Sequence, residues 1–207
     1  MRLVIAASLA FLSAVPAMAE TVASELGALI RKEKSAALAL SDARVDALFR
    51  QVSAGDVTYT RSFLDSLPAA SGGKSLKCLS EALYFEARGE TVKGQFAVAE
   101  VIMNRVESAR YPDTVCGVIN QGTGRKYQCQ FTYTCDGRAE VIHEKTVHER
   151  LKKIAKLMLS DKPRKITNGA THYHTTAVRP RWSRVFPRTA TIGVHHFYRE
   201  PTRVSRN

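Results

Sequence analysis

The chain has 207 residues, enough for one ordinary domain with a real core plus an extension. Its 44% hydrophobic and 24% charged residues are the composition of a globular protein, and beyond a first apolar run no stretch could span a membrane. The formal charge of +12 is unevenly spread: residues 1–149 hold 17 Lys+Arg against 17 Asp+Glu, whereas residues 150–207 hold 14 basic residues against only Asp161 and Glu200. Such asymmetry points to an acidic partner: nucleic acid, anionic lipid or an acidic polymer.

Residues 1–19 read as a secretory signal peptide. Arg2 is the short positive region, LVIAASLAFLSAV the apolar core, and Ala17-Met18-Ala19 a small-x-small cleavage site. Cleavage after Ala19 is expected, giving a periplasmic or secreted protein that starts at Glu20, with no stable membrane insertion after cleavage. An uncleaved anchor is the alternative. Residues 20–75 are expected to form a helical extension and linker without chemistry of their own. Leu26, Ile30, Ala37, Leu40, Leu48, Phe49 and Val52 recur there among charges. Ser53 to Asp56 break the pattern, and Tyr59, Phe63, Leu64 and Leu67 are suited to docking on the domain that follows. PAASGGK (68–74) is turn-rich and marks a domain edge.

The stretch Leu76–Glu107 predicts two helices. In the first, Leu76, Leu79, Leu83 and Glu86 share one face. A carboxylate on an apolar stripe must find a donor or take up a proton. Gly89 is expected to end the helix, which leaves Glu86 in the last turn, where the helix dipole also disfavours negative charge. Both effects raise its pKa, as a general acid near neutral pH requires. The alternative is a structural glutamate paired with Arg88 or Arg105. The second helix, Gly94 to about Ser108, is apolar on most sides and therefore buried. Glu100, Asn104 and Glu107 share its one polar strip, so Glu100 is expected to be solvated rather than catalytic.

CGVINQG (116–122) and KYQCQFTY (126–133) read as two strands of a hairpin. The cysteines Cys78, Cys116, Cys129 and Cys135 are even in number in a chain with an export signal, which favours two disulfides, with three connectivities open. Zinc is the alternative, but no C-x2-C pair occurs. Residues 139–160 predict an amphipathic helix. HEKTVH (143–148) within it resembles a zinc-protease motif, but its histidines are five apart, not four, and so diverge around the helix. Residues 163–200 predict strands and loops, where His172-x-His174 and His195-His196 offer a second, weaker metal reading. No cofactor and no metal site is expected.

EALYFEARGE followed by GQFAVAEVIMNRV, then ATHYH, Pro180, Trp182 and IGVHHFY, resembles the SleB/CwlJ-type cell wall hydrolases over roughly Leu76 to Arg199. The resemblance implies an α+β fold: a lysozyme-like catalytic domain over residues 76–200, mainly helical with a small β-hairpin or sheet, preceded by the helical extension and followed by a basic tail, 201–207. It implies cleavage of peptidoglycan glycan strands, and it makes Glu86 the essential acid. Asn104 and Arg105 match the family's NRV, with bracing of the Glu86 helix as their role. The resemblance places the predicted hairpin beside the groove, where Gln130, Phe131 and Tyr133 line a sugar subsite, although Phe131 suits the core equally. His172, Tyr173, Trp182, His195 and Tyr198 match its second motif block, and aromatics with polar tips suit sugar faces and hydroxyls. Glu90 is grouped with the site as a cap or hydrogen-bond partner of the Thr91–Gly94 turn. Phe85 before Glu86 and the four cysteines depart from many relatives.

The expected function is therefore an exported enzyme that cleaves the MurNAc–GlcNAc bond, a lytic transglycosylase with one catalytic Glu. The alternatives are a muramidase using a second carboxylate (Glu90, Asp113 or Asp136) and a non-catalytic peptidoglycan-binding protein. A nuclease is disfavoured, because the basic end lacks the carboxylates that hold catalytic metal ions; nucleic acid is not an expected partner. Peptidoglycan offers the acidic groups that Arg179, Arg181, Arg184 and Arg188 are expected to hold. The oligomeric state is not legible.

Overall fold

The computed structural model describes residues 17–52, 57–125, 128–160 and 164–201. Most of the expected signal peptide (1–16), the expected break at 53–56 and most of the expected basic tail (202–207) lie outside them. The chain divides into two compact units, residues 1–41 and 42–207. In the first, the described residues are helical, part of α1 (Ala17–Gln51), and Leu26, Leu29 and Ile30 are exposed.

The second unit takes in the end of α1 and everything after it. Phe49 is buried in its core, and Asp46 pairs with Lys156. α2 (Arg61–Ser66) starts at Thr60, whose hydroxyl accepts from the Phe63 amide at 3.2 Å. Leu64 is fully buried, Arg150 grips Asp65 with two bonds of 2.7 and 3.1 Å, and the Tyr59 ring meets Phe96 edge-on at 5.2 Å.

α3 (Lys74–Ala87) buries Leu76, Leu79 and Leu83, the stripe read from the sequence. α4 (Val92–Val106) is capped by Thr91, which accepts from the Gly94 amide at 3.1 Å. α3 ends before Gly89 as expected, but Gly89 is not among the positive-φ glycines, so no left-handed cap forms there. α6 (Lys145–Leu159) buries Leu151, Ile154, Ala155, Leu157 and Met158 against α3 and α4, and residues 139–144, expected in that helix, are irregular.

Among the described residues the predicted hairpin is not there. Val115–Ile119 is a short helix, α5, capped by Thr114, and Thr132–Cys135 is a 3-10 turn. The run is rich in β-branched residues, which favours a strand reading. However, Val115, Val118 and Ile119 fall at i, i+3 and i+4 and bury one helical face, and Cys116 is bonded to Cys78 on α3. The sheet comes from later in the chain. β1 (His172–Thr175), β2 (Arg188–Ile192) and β3 (His195–Tyr198) form an antiparallel sheet in the order β1-β3-β2. The fold is thus α+β, mainly helical with one small sheet.

α4 joins the two parts. Phe96, Val98, Ala99, Ile102 and Met103 pack in the helical core, while Ala97 and Val101 pack on Ala170, Ile192 and Phe197 of the sheet region. Its polar strip corrects the sequence reading, because Glu100 does not face solvent but is fully buried. Its carboxylate accepts from the amides of Ile166 (2.9 Å) and Thr167 (2.8 Å) and from the Thr167 hydroxyl (2.6 Å). Asn104 donates to the Ala170 carbonyl at 2.8 Å, Arg105 to the Thr171 carbonyl at 2.7 Å, and Glu107 pairs with Arg164. Asn104 and Arg105 therefore brace the approach to β1.

Glu100→Gln keeps the volume but turns an amide NH₂ toward a backbone N–H. One buried donor then loses its acceptor, a loss of about 1–3 kcal/mol. Urea unfolding of the oxidised protein should show a lower midpoint with an unchanged slope.

Candidate active site

Glu86 lies in the last turn of α3, half-buried on the side of its leucine stripe. The Tyr173 hydroxyl, reaching over from β1, donates a long hydrogen bond of 3.4 Å to its Oε2. Burial pushes the Glu86 pKa upward, and the Tyr173 bond and the nearby Arg105 charge pull against it without reversing the direction. Neither arginine weighed as a partner forms an ion pair with it. Arg88 pairs with Glu144 at 3.7 Å and donates to the Tyr84 carbonyl at 3.2 Å. Buried Arg105 is spent on Thr171 and stands over the rings of Tyr111 and Phe131, at 5.4 and 5.8 Å.

The sheet pleat divides the residues of the second motif block, because directly paired residues share a face. Tyr173 pairs with Phe197, and His195 with Thr175. The Tyr173 ring rests on His195 edge-on at 5.2 Å and on Phe197 at 5.9 Å, and this face also carries the contact to Glu86. His172 pairs with Tyr198, and His174 with His196, on the opposite face. There His172 meets Trp182 at 5.1 Å and Phe186 at 5.0 Å. His174 Nε2 shares a hydrogen bond of 3.0 Å with the Tyr198 hydroxyl. Burial, then the Arg105 charge, lowers the His172 pKa to about 4, so its imidazole is neutral at pH 7. The structure therefore brings Tyr173 and His195 together with Glu86 and sets His172, Trp182 and Tyr198 apart from them.

Glu90 also belongs to the wall behind Tyr173. Its Oε1 lies 3.5 Å from Nδ1 of buried His195. The turn between β2 and β3 makes room for it: Gly193 has φ 57°, and a Cβ there would sit 2.9 Å from Glu90 Oε2.

Of the three residues read into a sugar subsite, Phe131 is buried in the core, and Gln130 is half-buried, its amide donating to the Gln121 carbonyl at 2.9 Å. Tyr133 stacks on Phe85, with centroids 4.7 Å apart and planes 19° from parallel. Phe85, which the sequence marked only as a departure from relatives, thus forms an aromatic platform one residue before Glu86. Disulfides Cys129–Cys135 and Cys78–Cys116 bracket Phe131 and Tyr133 and tie α3 to α5, respectively, and no described cysteine is free. Arg179, Arg181, Arg184 and Arg188 are exposed around Trp182 on the β1–β2 connection and the start of β2.

The cell wall hydrolase family model matches residues 89–198, more than half of the chain. The chain belongs to that family. The match begins three residues after Glu86 and includes Glu90, Gln130, Phe131, Tyr133, His172, Tyr173, Trp182, His195 and Tyr198 but not Phe85. The spore cortex-lytic enzyme of Halalkalibacterium halodurans is 32% identical over 135 residues, 64% of this chain and 37% of that protein. The spore cortex-lytic enzyme of Bacillus subtilis is 34% identical over 84 residues, 41% of this chain and 26% of that protein. The chain thus spans less than half the length of these curated relatives. Among solved structures, the catalytic domain of the germination-specific lytic transglycosylase SleB from Bacillus anthracis is 30% identical. That likeness covers 64% of this chain and 99% of that one, with a TM-score of 0.48.

The raised Glu86 pKa has a stability consequence. Below the pKa of an unfolded glutamate, about 4.3, Glu86 is protonated in both states and costs nothing. As pH rises through the higher folded pKa, folding must hold a carboxylate where water is scarce, and stability is lost. The neutral isostere Glu86→Gln is expected to melt above wild type at pH 7 and together with it at pH 3.5. Thermal unfolding followed by circular dichroism checks this, and a variant that melts below wild type at pH 7 contradicts it.

Proposed function

We propose that this protein is an exported peptidoglycan-cleaving enzyme that acts on the MurNAc–GlcNAc bond as a lytic transglycosylase, with Glu86 as its acid and base. The observation that carries this reading is the state of Glu86. It is half-buried at a helix end and pushed toward the protonated form; among the described residues it has no ion-pair partner, and the Tyr173 hydroxyl touches it. Family membership supports the cell-wall substrate, and the relatives named above are cortex-lytic enzymes. Export rests on the signal peptide read from the sequence. Among the described residues no helix is long and apolar enough to cross a membrane.

In this scheme protonated Glu86 gives its proton to the glycosidic oxygen as the bond to muramoyl C1 breaks. The carboxylate so formed takes the proton of the muramoyl 6-hydroxyl, whose oxygen closes on C1 to give a 1,6-anhydro ring. No water is consumed, so no second carboxylate is needed. Tyr173 positions the Glu86 carboxylate, and Glu90 with His195 supports Tyr173 from behind. The candidates for a second carboxylate have other settings: Glu90 lies against His195, Asp113 is in an exposed loop, and Asp136 accepts from the Arg138 amide at 2.9 Å.

Glu86→Gln should lose about 10²- to 10⁴-fold in rate, the range of general acid–base assistance, while keeping its fold. Mass spectrometry of a digest of purified peptidoglycan should show products lighter by one water than hydrolytic ones. Products with only reducing-end muramic acid would replace the scheme with hydrolysis.

Tyr173→Phe removes a donor that favours the Glu86 carboxylate, so the acid should hold its proton to higher pH. The alkaline limb of the kcat/KM profile is expected to move upward, while kcat falls because the carboxylate is less well held. An alkaline limb at its wild-type position would leave Tyr173 without this role.

A further inference from the structure

A cavity of about 340 Å³ opens beside the Phe85–Tyr133 platform. One wall is the end of α3 with Tyr84 and Arg88, and the other is the exposed segment 136–144. The Tyr84 hydroxyl holds that segment in place: it accepts from the amides of His143 (3.1 Å) and Glu144 (3.2 Å) and donates to the Glu144 carboxylate, which also pairs with Arg88. Arg138 and Glu140 stand exposed on the rim, and among the described residues neither side chain has an ion-pair partner. Tyr133 links this cavity to Glu86. Burial raises the pKa of its hydroxyl, and the charges of Glu81, Glu86 and Glu140 raise it further.

Opposite unpaired charges over an aromatic floor are not what the sugar rings need, because these are uncharged and the muramoyl lactyl carboxyl is an amide wherever a stem peptide is attached. They suit a ligand that carries carboxylate and ammonium groups close together beside small apolar side chains. Peptidoglycan has one such part, the stem peptide, with its D-amino-acid carboxylates, the free amine of its diamino acid and its alanine methyls. It branches from the lactyl ether of the muramoyl sugar, the same sugar whose C1–O bond is broken.

We propose that this cavity receives the stem peptide of the muramoyl residue at the cleavage point, with Arg138 meeting a carboxylate, Glu140 the diamino-acid amine, and the Phe85–Tyr133 pair the alanine methyls. The proposal rests on the peptidoglycan-cleaving reading above and adds that peptide-bearing strands are the preferred substrate.

Two measurements on the full oxidised exported chain test it. The first compares kcat/KM on soluble glycan strands that carry stem peptides with the same strands stripped by an amidase. Wild type should prefer the peptide-bearing strands by about 5- to 30-fold, the reach of two exposed ion pairs acting together. The double variant R138A/E140A should bring that ratio to within about twofold of one. Equal wild-type rates on the two substrates, or an unchanged ratio in the variant, would overturn the proposal. The second measurement does not depend on cleavage: NMR titration of Glu86→Gln with the tetrapeptide L-alanyl-γ-D-glutamyl-diaminopimelyl-D-alanine. Shifts at Tyr133, Arg138 and Glu140 that vanish in R138A/E140A are expected, and their absence at millimolar peptide would overturn the proposal. If peptide binds in this way but neither strand is cleaved, the cavity assignment stands and the cleavage reading falls.

Discussion

The buried carboxylate of Glu100 fixes how the sheet meets the helices. It replaces water for two backbone amides and a hydroxyl just before β1, and Asn104 and Arg105 continue the same strip of α4 along the next residues. Left unmatched in an apolar interior, any of these groups would be costly. The register of β1 against α4 is therefore set by polar matching, whereas Ala97 and Val101 contribute apolar contact that would tolerate sliding. The contact between Glu86 and Tyr173 depends on this arrangement, because its two ends come from α3 and β1 and meet only as closely as α4 holds them.

At Glu86 three influences are balanced. Burial favours the acid form, and Tyr173 and Arg105 favour the base form. Opposing influences of this kind keep both the protonated and the ionised form within reach, which neither a dry pocket nor a salt bridge alone allows. Arg105 is bound to Thr171, so its charge acts on Glu86 without neutralising it, and Arg88 is taken up by Glu144. Such a carboxyl weakens the fold at neutral pH, as functional sites commonly do.

What the sequence disclosed follows from periodicity. The α3 stripe, the placing of Glu86 on it and the burial of the apolar sides of α4 were legible because apolar spacing records them directly. The burial of Glu100 was not, since a carboxylate on a polar strip reads the same whether it faces water or amides more than sixty residues away. α5 was misread because Val-Cys-Gly-Val-Ile is too short to separate a buried helical face from a strand, and the Thr114 cap gave the better clue. The division of His172, Trp182 and Tyr198 from Tyr173 and His195 was half visible. Alternation along HYH sets Tyr173 against its neighbours, but which face meets Glu86 depends on pairing with β3. Phe85 gained significance only once Tyr133, far along the chain, was seen to stack on it.

The Cys129–Cys135 bond closes a small ring of chain that contains Tyr133. In the reducing cytosol such bonds do not persist, and without this one the segment regains much of the freedom that the closed ring denies it. Under the export proposed above, this amounts to a built-in safety catch. The newly made chain would lack the closed ring around Tyr133 while still inside the cell, and would gain it by oxidation only after crossing the membrane.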